Sequence, residues 1–294
     1  MPLRDVLIAL VVVTIWGVNF TVIKLSLVAL PPLLVAALRF FFAAVPVILF
    51  IPRPAAPWRL VIAYGLFMGC ALYALLNLTL AMGLSASLAS LALQVQAMFT
   101  IGLAFFVFRE VPRRLQILGA VVAFSGIGVI ALGHGVDGQG LSLAILMLGA
   151  LSWGIANIVS KLAGPIPMLP FTVWGNLCAA IALFALSFAF EGGPGMLMLL
   201  APPSWNVVGL IFFLAYPATL FGFAAWSWLL SRHSAATVAP FTLLVPVAGI
   251  SSGVLILGEP IFLVDVIGGA LVFLGLVLTV IKLRPKQIAL NPGA

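Results

Sequence analysis

A chain of 294 residues could hold two soluble domains by length, but 65% hydrophobic and only 6% charged residues, with a mean hydropathy of +1.35, exclude them. A soluble chain carries roughly 25% charged residues, whereas 13 basic and 6 acidic side chains leave long uncharged runs. Those runs are about the length that crosses a bilayer, so the sequence reads as an integral membrane protein.

The first apolar run, Leu7 to Leu27 behind Arg4, shows no small-residue cleavage site leading into a soluble segment and is read as a retained helix. Windows of roughly 19 residues predict ten transmembrane helices at 5–29, 33–51, 59–81, 86–108, 115–133, 141–162, 169–190, 206–230, 236–257 and 263–283. Pro31-Pro32, Pro52-Arg53-Pro54, Gly133 to Gly140, Gly164-Pro165, Gly192 to Pro194, Pro202-Pro203 and Gly258 to Pro260 punctuate them. Continuous apolar runs exclude barrel strands, which would alternate. With a cytoplasmic N-terminus, eleven of the 13 basic residues fall inside: Arg4, Arg53, Arg59, Arg109, Arg113, Arg114, Lys161, Arg232, Lys282, Arg284 and Lys286. Outer loops then hold Asp137, Glu191 and Glu259 but no base, so both termini are expected inside. The net charge of +7 is thus a topology signal and points to no nucleic-acid partner. Cys70 and Cys178 sit in apolar runs and read as small buried hydrophobes, with neither disulfide nor zinc spacing.

The chain repeats itself. Trp16-Gly17 and Lys24 recur as Trp153-Gly154 and Lys161 at an offset of 137 residues. Ser85-Ala86, Glu110, Gly119, Phe124 and Gly126 recur as Ser234-Ala235, Glu259, Gly268, Phe273 and Gly275 at an offset of 149. Repeats of five helices, at 1–134 and at 135–294 with a basic cytoplasmic tail, have an odd number of crossings. The second is therefore expected to be inverted in the membrane, an arrangement that builds transporters with a substrate site near the midplane.

This doubled unit, with Trp-Gly in the first helix, Arg39-Phe40 in the second and the Arg109-Glu110 and Gly258-Glu259-Pro260 corners, resembles the EamA group of the drug/metabolite transporter superfamily over nearly the whole chain. The resemblance implies an all-α, multi-pass inner-membrane protein with both termini cytoplasmic. It also implies a central cavity lined mainly by helices 1, 3, 4, 6, 8 and 9, and export of amino acids or similar small metabolites, as in bacterial amino-acid exporters.

Polar groups within the spans should face the bundle interior. Trp16, Asn19 and Phe20 share one face of helix 1, and Tyr73 and Asn77 share one of helix 3. Helix 4 offers Gln94 and Met98 with Gln96 to the side, helix 6 Trp153 and Asn157, helix 8 Thr219, Phe223 and Trp226, and helix 9 Thr242. Each amide could instead only bridge helices. Trp16 and Trp153, deep and at matching repeat positions, are expected to line the cavity, whereas Trp58, Trp174 and Trp205 fit the interfacial belt. Arg39, about 9 Å into helix 2, is a candidate carboxylate contact; snorkelling or capping loop carbonyls is the other reading. Lys24 and Lys161 read as snorkelling anchors near opposite faces.

Asp5, Glu110, Glu259 and Asp265 fall at loops or helix ends, so no carboxylate lies deep in a span to relay protons or hold a cationic drug. Without an arginine cluster, phosphorylated substrates are disfavoured too. Pro217, Pro240 and Pro246 lack counterparts in the first half, which predicts a hinge in helices 8 and 9 and halves that do not move identically, a static kink being the other reading. Gly65-x-x-x-Gly69 and Gly249-x-x-x-Gly253 suggest close packing but fix no oligomeric state. Gly249 to Gly253 also matches G-x-S-x-G, yet on an apolar helix with His134 and His233 in loops on opposite sides. No metal cluster, cofactor motif or P-loop is present, and no acid, base and nucleophile converge, so an enzyme is not expected. The reading is a secondary transporter exporting small neutral metabolites, amino acids first, by alternating access. Another small metabolite or drug-like solute, a gated channel and an intramembrane enzyme are the rival readings.

Overall fold

A computed structural model describes residues 1–135, 139–192 and 204–280, and these are all-helical. Ten helical rods follow in order: α1 Leu3–Ser26, α2 Pro32–Ile48, α3 Trp58–Ala81, α4 Ala86–Phe108, α5 Arg114–His134, α6 Leu141–Leu162, α7 Met168–Phe190 and α8 Trp205–Arg232, then α9 and α10. The ninth rod, α9, runs through Ala235–Val238, Ala239–Leu244 and Val245–Leu257, and α10 spans Leu263–Val280. Among the described residues nine helices are long and apolar enough to cross a bilayer, and α2 is the short one at 17 residues. The hydropathy windows therefore located every rod. Asp137, Pro194, Pro202, Pro203 and the predicted basic tail with Lys282, Arg284 and Lys286 lie outside the described residues.

Large apolar side chains such as Phe106, Leu132, Leu148, Phe188 and Leu255 cover the outside, as a lipid-facing surface requires. Because lipid tails are as apolar as leucine, burial alone does not hold helices together, and small residues that let backbones approach do so instead. The α5–α10 crossing is the clearest case. A Cβ on Gly119 would come within 2.5 Å of the Gly275 carbonyl, and one on Gly126 equally close to that of Gly268. Residue order along the two rods is opposite, so they run antiparallel. Gly65 and Gly69 likewise pack α3 onto Gly175 and Ala179 of α7, while Gly249 and Gly253 admit Ser90 and Ser87 of α4. α1 packs on α9, α4 on α6 and on α9, α2 on α7 and on α8, and α3 on both α6 and α7.

Four interruptions shape the interior. π-helical turns occupy Gly65–Ala71 of α3 and Tyr216–Phe221 of α8; 3-10 segments occupy Leu93–Val95 of α4 and Ala239–Leu244 of α9. At the 149-residue offset Leu93–Val95 falls on residues 242–244 and Gly65–Ala71 on 214–220, so both halves break at matching places. Only the second half carries proline there. The interruptions therefore do not depend on proline. Carbonyls within them accept hydrogen bonds across the bundle: Phe67 O from Ser152 Oγ (2.9 Å), Ala218 O from Trp16 Nε1 (3.1 Å) and Thr242 O from Gln94 Nε2 (3.0 Å).

Gly126→Leu should overpack the α5–α10 crossing by about 1–3 kcal/mol and lower the unfolding midpoint in detergent by roughly 3–10 °C. Gly128→Leu, where a Cβ meets nothing within 4 Å, is expected to leave the midpoint unchanged.

Candidate functional site

A central cavity of about 100 Å³ lies among the rods. Its lining comes from six helices: Trp16, Asn19 and Phe20 of α1; Met68, Leu72, Tyr73 and Leu76 of α3; Leu93, Gln94 and Gln96 of α4; Trp153 of α6; Phe223 of α8; Thr242 and Val245 of α9. Aromatic and aliphatic walls with a few amides can cover the apolar body of a solute and orient a polar head.

The two repeat-matched tryptophans differ. Trp16 spends its indole N–H on Ala218 O and is flanked by Phe223 and Trp226, with ring centroids 5.7 Å and 5.3 Å away. It offers the cavity a fixed ring face. Trp153 makes no hydrogen bond among the described residues, so its N–H is available to a solute.

Arg39 does not snorkel. It is 2% exposed, and its Nη1 donates to Asn19 Oδ1 and its Nε to Thr219 Oγ1, each at 2.9 Å. Its guanidinium also lies 4.2 Å from the centre of the Tyr73 ring. Among the described residues no carboxylate pairs with it. Glu191 instead accepts from the Leu33 and Leu34 amides at the start of α2 and from Ser187 Oγ. Arg39 is therefore a buried cation with neutral partners only, set directly behind Asn19 and Tyr73 in the cavity wall.

Other expected contacts lie elsewhere. Asn77 donates to Pro32 O at 2.9 Å and ties α3 to the start of α2, away from the cavity. Asn157 donates to Gln96 Oε1 (2.9 Å) and Thr100 Oγ1 (3.0 Å), so it holds a lining residue in place. Met98 is buried in the core, Trp226 backs Trp16, and Thr219 supports Arg39. Gln96 was the polar signal undervalued in the sequence: about 100° per residue in an α-helix turns it well away from Gln94, but the 3-10 turn intervenes and both reach the cavity. Nothing in the sequence separates the lining Met68, Leu72, Leu76, Leu93 and Val245 from lipid-facing aliphatics. Asn176, also unforeseen, borders a smaller cleft between α7 and α8, and its Nδ2 is buried without a partner.

At the two ends of the bundle, charges pair. Lys24 Nζ donates to Glu259 Oε1 (2.9 Å), and Glu259 also accepts from the Ala86 amide (2.7 Å), the Ser87 amide (3.0 Å) and Ser87 Oγ (2.7 Å). Lys161 pairs with Glu110, while His134 bonds Asp265 and His233 bonds Asp5, both at 2.6 Å. The lysines are thus ion-paired partners, which corrects their reading as simple anchors: a carboxylate from the opposite repeat lies within reach of each. Burial pushes the Glu259 carboxyl up, but hydrogen bonds from Ser87, Lys24 and Ala86 outweigh it and hold the group below the usual carboxylate range.

The model of the EamA-like transporter family matches this chain twice, over residues 3–132 and 140–281. The chain belongs to that family. A Salmonella typhimurium protein named a probable amino-acid metabolite efflux pump is 36% identical over 100% of both chains. The Escherichia coli protein of that name is also 36% identical, over 98% of each. The uncharacterized inner membrane transporter YedA of Escherichia coli is 22% identical over 99% of this chain and 95% of its own. A solved crystal structure with 18% identity superposes with a TM-score of 0.63 over 94% of this chain and 95% of that one, a likeness of fold. This EamA-family chain is a multi-pass membrane transporter, not an enzyme.

Because the Glu259 carboxyl is held low, its stabilisation is present above the ordinary carboxylate range and disappears as pH falls through the lowered value. Glu259→Gln should therefore unfold at lower temperature than the parent at about pH 7, and the gap should close below about pH 4. Midpoints measured across that range test this.

Proposed function

We propose that this EamA-family transporter exports small amino-acid metabolites by alternating access, with the cargo held in the central cavity. The observation that carries the reading is a cavity lined by both halves, walled by Trp16, Phe20, Tyr73, Trp153 and Phe223 and dotted with Asn19, Gln94 and Gln96. The name shared by the two relatives at 36% identity supports the cargo class. Of the candidate contacts, Trp16, Asn19, Phe20, Tyr73, Gln94, Trp153 and Phe223 meet cargo directly, while Arg39 supplies the positive field that seats its carboxylate beside Asn19 and Tyr73.

The halves are inverted copies, one ending near residue 134 and the next beginning near 135. Reciprocal contacts support this: Gly119 and Gly126, equivalent to Gly268 and Gly275, meet Gly275 and Gly268 in crossed order. Likewise α1 meets α9 as α6 meets α4, and α3 meets α6 as α8 meets α1. Both termini lie in the cytoplasm, since Arg4, Arg53, Arg59, Arg109, Arg113, Arg114 and Arg232 all flank one end of the rods.

Counterflow in proteoliposomes tests the cargo class. Saturable, cross-competing uptake of labelled neutral amino acids without an ion gradient is expected; no uptake across a broad panel, with folded protein, would remove this cargo. Trp153→Ala should raise KM about tenfold, a loss of about 1.4 kcal/mol of cargo binding. Trp16→Phe, which keeps the ring, should disturb affinity less than Trp16→Ala. Arg39→Gln is expected to weaken competition by amino acids about tenfold and to leave competition by their methyl esters unaltered. Equal effects on acids and esters would rule Arg39 out as the carboxylate's counter-charge.

A further inference from the structure

The two Lys–Glu pairs stand in a crossed relation. Lys24 and Lys161 are 137 residues apart, and Glu110 and Glu259 are 149 apart, the same offsets that relate the two repeats. Each pair joins a lysine of one repeat to a glutamate of the other, at opposite ends of the bundle. Their settings differ. The Lys24 and Glu259 side chains are 28% and 7% exposed, whereas those of Lys161 and Glu110 are 49% and 54% exposed.

Glu259 does more than pair with Lys24. It clasps the start of α4 through the Ala86 and Ser87 amides and the Ser87 hydroxyl, and the α4 stretch from Ala86 to Val95 is buried throughout. At the repeat offset Leu88 and Val95 correspond to Thr237 and Leu244, which are exposed. A 3-10 segment separates each helix start from the body of its rod, Leu93–Val95 in α4 and Ala239–Leu244 in α9. Such a segment can let the preceding turns swing while the rest of the rod stays packed.

We propose that Glu259 and Glu110 are alternating clasps of the transport cycle: each grips the start of the α4 or α9 helix at its own end, held by Lys24 or Lys161, so that one end of the cavity is shut while the other opens. The structure has the Glu259 clasp shut and the Glu110 clasp loose. The sequence also accounts for the bias, because Ser87 is replaced by Ala236 at the offset of 149. The Glu110 clasp lacks the hydroxyl that Glu259 uses, so the Glu259 end closes more firmly. This proposal rests on the family's transport role and is independent of which cargo is carried.

The test uses the full chain with Cys70→Ala and Cys178→Ala, and Leu76→Cys in the cavity wall as reporter. A membrane-impermeant maleimide is applied to intact cells and to inverted vesicles, which present the two faces in turn. Glu259→Gln and the milder Ser87→Ala should raise labelling from the Glu259 face about threefold or more, the shift expected from losing one hydrogen bond inside a membrane protein. Ala236→Ser should move labelling the same way by strengthening the opposite clasp, and Glu110→Gln should move it the other way. Lys24→Glu with Glu259→Lys should not restore the parental pattern, because a lysine at the clasp cannot accept from the Ala86 and Ser87 amides. Labelling that is unchanged in all variants, or that shifts in one direction for both glutamates, overturns the proposal. Ser87→Ala and Ala236→Ser decide the matter even where loss of a carboxylate prevents folding. Labelling needs no cargo, so absent amino-acid counterflow would strike the cargo reading and leave the clasps standing.

Discussion

Inside a bilayer there is no water to satisfy a backbone carbonyl that its own helix has released, and each such group costs several kcal/mol unless protein supplies a donor. In the interruptions of α3, α8 and α9 three carbonyls accept side-chain donors from the other half of the sequence, and Phe67 O and Thr242 O also keep a bond from their own helix, from the Leu72 and Val245 amides. Ser152 of α6 reaches Phe67 of α3, Trp16 of α1 reaches Ala218 of α8, and Gln94 of α4 reaches Thr242 of α9. These bonds tie each interruption to the opposite half, next to the cavity that residues of both halves line.

The same constraint explains what the sequence disclosed. Span positions follow from composition, since a residue run either tolerates hydrocarbon or does not, and the predicted rods and the observed ones coincide. The amides deep in the spans face inward while Ser125, Ser227 and Ser251 are exposed, and inward has two meanings. Asn19, Gln94 and Tyr73 face the cavity, whereas Asn77 and Asn157 face neighbouring helices. Helical periodicity gives a direction around one rod and says nothing about whether a cavity or another rod lies there. The interruptions in α3 and α4 were illegible for a related reason. Proline is the local signal for such an interruption, and neither Gly65–Ala71 nor Leu93–Val95 carries one.

Arg39 carries the electrostatics of the interior. Desolvating a guanidinium is costly, and two neutral acceptors with a ring face recover only part of that cost. The charge is retained on the hidden side of Asn19 and Tyr73, where a low dielectric lets it act over several ångströms. A buried cation in that position raises the local potential, which disfavours further cations and favours anionic groups nearby.

The inequality of Trp16 and Trp153 adds a further step. Both stand at the same place in their repeats, yet Trp16 is bolted to the α8 interruption while the Trp153 N–H at the cavity makes no hydrogen bond among the described residues. If the two halves exchange roles during the cycle, the bond that Trp16 makes to Ala218 marks one arrangement and the corresponding freedom of Trp153 marks the other. Only an indole offers a broad apolar face and a donor at its edge, which is a physical reason for tryptophan at both positions.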